Sequence, residues 1–179
     1  LSISHIDSLI NLSGLDNLTY IGDNLIVNCP SNSSNTTSLT SLVGLEGVTI
    51  IEGNLCVTYN PYLTNLNGLY NVTSIGGDFN IRNNYALTSL TGLDNVTSIG
   101  GDVDVTGNDS LTSLTGLDNL TSIGGFLGIC SNHALTSLTG LDNLTSIGGF
   151  LFFYDNAAIT SLTGLDNLTS IGRYLTIRN

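Results

Sequence analysis

Asp78 and Asp102, 24 residues apart with Asp104 just beyond, are the carboxylates of this chain whose spacing comes nearest to a catalytic pair. On adjacent turns of a coil, one could act as general acid and the other as general base in a hydrolysis. A solvated acidic surface accounts for the same residues with no chemistry at all. The chain has no lysine to assist, and its two histidines, His5 and His133, lie far apart with no nucleophile at a useful spacing. The sequence therefore reads as non-enzymatic, with no catalytic residue and no cofactor.

Other residue types recur in columns. Asp16, Glu46, Asp94, Asp118, Asp142 and Asp166 form an acidic column, and stacked oxygens of this kind attract calcium. Asp94, Asp118, Asp142 and Asp166 are candidate ligands on that ground alone. One carboxylate per repeat falls short of a multidentate cage, whereas Asp at a turn bonds its own backbone, so no metal site is assigned. Cys29 and Cys56 fall on neighbouring repeats, which leaves open both a disulfide and two half-buried thiols; Cys130 is the odd cysteine. No Cys/His spacing points to zinc. Sequons stand at Asn11, Asn17, Asn32, Asn35, Asn71, Asn95, Asn108, Asn119, Asn143 and Asn167. Repetition explains the ones that share a column. Asn32 and Asn35, in a polar insertion, are the candidate glycosylation sites in a eukaryotic host.

The elements that must hold these residues follow from the repetition itself. LTSLTGLDNLTSIGG occurs verbatim at 111–125 and 135–149, and units begin at residues 9, 39, 63, 87, 111, 135 and 159. From Leu39 the period is 24, and the longer first unit carries its excess in the polar stretch 30–38. A fixed period of this size marks a stacked solenoid. Gly116 and the Gly124-Gly125 pair interrupt any helix, and Leu127-x-Ile129 alternates, so strands of three to five residues joined by tight turns are expected. The expected fold is all-β: a single right-handed solenoid of about seven coils spanning 1–179, part of a longer array. Leu and Ile point inward in ladders. Asn60, Asn84, Asn108, Asn132 and Asn156 are expected to bond turn backbone in their own and the next coil.

Composition narrows the partners. A net charge of −11 disfavours nucleic acid and anionic membrane surfaces. No apolar run approaches the ~20 residues of a membrane span. The shortage of charged residues, with Asn, Ser and Thr covering the surface, points to an extracellular or cell-surface protein.

The pattern L-x-x-I-x-G-x-L-x-I-x-x-N-x-x-L from Leu120 through Leu135 resembles a leucine-rich-repeat variant. It is similar to the repeat of receptor L domains, found in receptor ectodomains and fungal cell-wall proteins, and to bacterial surface proteins with comparable units. The resemblance covers essentially the whole chain. It implies a repeat fold serving adhesion, recognition or wall structure.

Against the constant residues, the variable ones change character along the chain. The outward columns begin polar and acidic and end with Phe126, Phe150, Phe152, Tyr154 and Tyr174. A contiguous outward aromatic patch marks a contact surface, while an aromatic ladder that only reinforces the sheet is the plainer account. The function expected is a stiff structural or adhesive scaffold, contacting copies of itself or a cell-surface protein or glycan. A ligand-binding ectodomain is the alternative. The regular threonine columns also admit ice binding as a minor reading, although each strand offers one outward Thr rather than two.

Overall fold

The computed structural model describes residues 1–4, 6, 8–28 and 38–178. Cys29, Asn32, Asn35 and His5 lie outside the described residues, and so does nearly all of the insertion at 30–38. The described residues contain fifteen strands and no helix.

Within a unit the leucines fall on every third residue, as in Leu111, Leu114, Leu117 and Leu120. That period is neither the two of a strand nor the 3.6 of a helix. It comes from successive turns: Leu111 N–H donates to Asn108 O at 2.9 Å, Leu117 to Leu114 O at 3.1 Å, and Leu120 to Leu117 O at 2.9 Å. Each turn returns one side chain to the interior, and all four leucines are 1% exposed or less. Strands of three to five residues therefore account for only part of the unit. Leu127–Cys130 has four residues and Ser122–Ile123 only two, while 111–120 contains no strand and turns at 115–116 and 118–119.

Eight strands form one parallel sheet and seven two-residue strands form a second, with neighbours in each contributed by successive units. The result is a β-solenoid of about seven turns. Register is unbroken: Leu25, Leu55, Phe79, Val103, Leu127, Leu151 and Leu175 partner one another in turn. Where the Asn28–Thr58 contact spans 30 residues, others span 24, so the insertion leaves the pairing intact. From Leu25 to Leu151 this ladder is at most 2% exposed. Burying each such side chain stabilises by about 1.5–3 kcal/mol, and a single coil alone would bury few of them.

Two devices fix the coil spacing. Gly116 has φ +111°, and a Cβ there would lie 2.1 Å from Leu90 O in the coil before. Only glycine allows that approach. The second device is the asparagine column. Asn108 is fully buried; its N–H donates to Asn132 Oδ1 at 3.0 Å and its Nδ2 to Ile81 O, also at 3.0 Å. Its Oδ1 accepts the Asn84 N–H at 3.0 Å. Each amide thus ties the turn of its own coil to the coils on either side. The preceding residue is left-handed at Tyr59, Asn83, Gly107, Ser131 and Asp155 (φ 52° to 70°), which points the amide inward.

Candidate contact surface

The outer face of the eight-stranded sheet carries the variable residues, and the column just before the strand changes its chemistry partway along. Asn24 Oδ1 accepts the Asn54 N–H at 2.7 Å, and Asn54 Oδ1 accepts the Asp78 N–H at 2.7 Å. Asp78 Oδ1 then accepts the Asp102 N–H, and Asp102 Oδ1 the Phe126 N–H, both at 2.9 Å. The two carboxylates whose spacing suggested an acid/base pair therefore each satisfy backbone in the coil above. The signal was present in the sequence, since every early member of the column is Asn or Asp.

From Phe126 onward rings replace acceptors. Phe126 stacks on Phe150 with centroids 5.2 Å apart, and Phe150 on Tyr174 at 5.1 Å. Phe152, in the next outward column, stands edge-on to Phe150 at 4.3 Å. Stacking leaves the three phenylalanines half-buried, while Tyr154 and Tyr174 remain 52% and 54% exposed. Phe126, Phe150, Phe152 and Tyr174, four of the five aromatics singled out by sequence, thus form one continuous ring cluster, whereas Tyr154 makes no ring contact with them among the described residues.

Beside it, Gly128 interrupts a column of larger residues and floors an open groove of about 510 Å³. Asp104 and Arg178 stand at its two ends. Both Asp104 oxygens are engaged, one by Arg82 Nη2 at 2.6 Å and the other by Thr106 Oγ1 at 2.5 Å. Cys130 lies half-buried in the groove. Its thiol is pushed up from the ordinary value, chiefly by burial and next by the charge of Asp104, which holds it protonated and a poor nucleophile at neutral pH.

A polar cluster missed by sequence lies across three coils. His133 Nδ1 is 2.7 Å from Asp109 Oδ1, and its Nε2 is 3.6 Å from Asp155 Oδ2. The hydrogen bond to Asp109, with the nearby carboxylate charges, raises the imidazole pKa. Ser131 Oγ donates to Asp155, not to the histidine, so no hydroxyl is activated. The 24-residue spacing of Asp109 and His133 was the available clue.

The remaining sequence candidates are structural in geometry. Asp94, Asp118, Asp142 and Asp166 each accept the N–H of the glycine two residues earlier at 2.7–3.0 Å, as a turn residue does. Among the described residues no group of three or more His, Cys, Asp or Glu is arranged to hold a metal. In the repeated sequon column, Asn119 Nδ2 donates to Asp94 O at 2.6 Å and Asn143 Nδ2 to Asp118 O at 2.7 Å, fastening each coil to the one before. Asn108, also a sequon, is fully buried. The Thr121 and Thr145 hydroxyls donate to carbonyls of the preceding coil at 3.0 Å. Cys56 is buried, and its pairing with Cys29 lies outside the described residues. Among the described residues no helix is long and apolar enough to cross a membrane.

A family model described as BspA type leucine rich repeat region matches residues 53–176 in six copies. Neither the curated proteins nor the solved structures provide a match.

Proposed function

The chain belongs to the BspA type leucine-rich repeat family, and from that premise we propose that it is an extracellular, non-enzymatic scaffold whose aromatic sheet face makes adhesive contacts. Repeats of this type are typical of surface and adhesion proteins. The constant residues build a stiff rod, in which every backbone turn is tied to its neighbours. The variable strand face does the contacting.

The observation that carries this reading is the switch at Phe126, where a column of hydrogen-bond acceptors gives way to stacked rings. Rings at Phe150 and Tyr174 do nothing for the backbone that an acceptor would not do, and they leave an apolar surface in water. Such a surface gains about 25 cal/mol for each Å² it loses to a partner. Catalysis draws no support from the same face, where the acidic residues bond backbone, arginine or threonine.

The test is the double variant Phe152→Ser with Tyr154→Ser. It is expected to keep the circular dichroism spectrum and lose adhesion or self-association. Electron microscopy of the unmodified protein separates the two contacts: regular filaments mean copies of itself, discrete rods mean another molecule. Unchanged adhesion in a folded double variant would sink the proposal.

A further inference from the structure

We infer that the turn at Asn67-Gly68 is a self-modifying site, at which the Gly68 amide nitrogen closes on the Asn67 side chain, expels ammonia and leaves a succinimide that water opens to aspartate or isoaspartate. Neither residue belongs to the contact surface proposed above, so the two readings stand or fall separately.

Comparison with the other coils sets this turn apart. The Leu69 N–H donates to Leu66 O at 3.1 Å, which leaves Asn67 and Gly68 at the centre of a β-turn with Gly68 at φ +111°. In the corresponding turns the glycine N–H is held by a carboxylate two residues on. Gly44 is held by Glu46, Gly92 by Asp94 and Gly116 by Asp118, and three further coils do the same, all at 2.7–3.0 Å. Tyr70 stands in that place here, so the Gly68 N–H has no acceptor among the described residues. The residue before the glycine, threonine at Thr91, Thr115 and Thr139, is here Asn67, and Asn-Gly occurs nowhere else in the chain. Asn67 is exposed, and its side-chain amide makes no hydrogen bond among the described residues. Asn71, Asn95 and Asn119 are by contrast each tied to a carbonyl of the coil before.

Nucleophile and electrophile sit in adjacent residues, so the ring closes without any encounter between molecules, and glycine offers no Cβ to block the approach. A carboxylate on the N–H would hold its proton in place, because a nearby negative charge disfavours the anion that attacks. That brake is missing at Gly68 alone. The nitrogen loses its proton to water and attacks Asn67 Cγ; the Cγ–Nδ2 bond breaks, and ammonia leaves with a proton. Water then adds to the imide. Opening at Cγ gives aspartate on an ordinary backbone, whereas opening at the main-chain carbonyl gives isoaspartate, in which the chain runs through Cβ and is longer by one atom. This turn has no room for that atom, since even a Cβ on Gly68 would strike Leu42 O in the coil before. Isoaspartate therefore loosens the coil, and the change accumulates with the age of the chain.

The test warms the full folded chain at mildly alkaline pH and follows intact mass, with peptide mapping and methyl transfer by protein isoaspartyl methyltransferase to place the product. The expected result is the mass gain of a single amide-to-acid exchange, with the methyl label at residue 67. Asn67→Thr, which carries the residue of the later coils, should lose the label there completely. Tyr70 is exposed, so Tyr70→Asp should fold; by restoring the acceptor it should slow conversion about threefold or more, as for one net hydrogen bond. Amide hydrogen exchange at Leu69 should be faster in the aged chain than in Asn67→Thr aged beside it. Residue 67 left intact in the folded chain, under conditions that convert it in urea, would overturn the site. So would a label spread over the other asparagines, or conversion at an equal rate in Tyr70→Asp.

Discussion

The backbone N–H of Phe126 donates to the carboxylate of Asp102 one coil earlier, at 2.9 Å, and a ladder of side-chain acceptors that starts at Asn24 ends there. A phenyl ring has no oxygen to offer the next coil, so Phe126 donates to one neighbour and stacks on the other. The polar and aromatic halves of the surface meet at this contact.

Asp102→Asn keeps the acceptor and should leave thermal stability nearly unchanged. Asp102→Ala leaves the Phe126 N–H, now part-buried, without its partner, and should cost about 1–2 kcal/mol. Equal melting temperatures for the two variants would show that water replaces the carboxylate freely.

Asn108 is more deeply committed, since its side chain serves Ile81 O, Asn84 N and Thr106 O at once. Asn108→Ala should cost about 3 kcal/mol or more, because several buried groups lose partners together. Contacts reach only adjacent coils, so hydrogen exchange should accelerate first around Asn84 and Asn132 rather than evenly. Uniform acceleration along the rod would argue that the array unfolds as one unit.

Gly116 and Gly128 should respond oppositely to alanine. Gly116→Ala meets Leu90 O and a forbidden φ, and should yield insoluble protein or a loss of at least about 3 kcal/mol. Gly128→Ala asks only that the Phe126 ring shift, and should change stability by less than about 1 kcal/mol. Urea denaturation of both variants is the check.

His133 should confer a weak pH dependence. Its folded pKa lies above the ordinary 6.5, first because of the hydrogen bond to Asp109. The stabilisation is therefore complete below the unfolded value and fades as pH rises through the raised folded value. The ring is exposed, so the effect is small. NMR titration should show the His133 pKa falling toward 6.5 in Asp109→Asn, and Asp109→Asn should lower the melting temperature at pH 5.5 but not at pH 8.5.

How far the sequence foretold all this differs from residue to residue. The period placed every column, and the Asn60–Asn156 amides bond as a buried column must. Column membership does not say which atom a side chain addresses, however. Asp94 and Asp102 are both outward carboxylates of the repeat, yet one bonds its own turn and the other the next coil. The difference lies in where the backbone N–H vectors point, and no spacing reports that. The three-residue rhythm of the leucines suggests short strands from sequence alone, because a run of turns and a run of strands leave a similar apolar trace. The link from His133 to Asp109 escaped because the unit differs at that position in each coil. Gly128 looked like any other glycine until its conformation showed that the fold had no need of it.

The 24-residue register has a genealogical side as well. Among the described residues the hydrogen bonds between coils run to the coil before or after, at separations that recur from unit to unit. An in-frame duplication or loss of one unit would therefore lengthen or shorten the rod by one strand spacing, about 4.8 Å, and leave each surviving contact with an equivalent partner. Reach becomes a quantity that copying errors can tune in equal increments, while mutations in the outward columns alter what is touched. Descendants of one such gene can differ in how far they extend without having to solve the folding problem again.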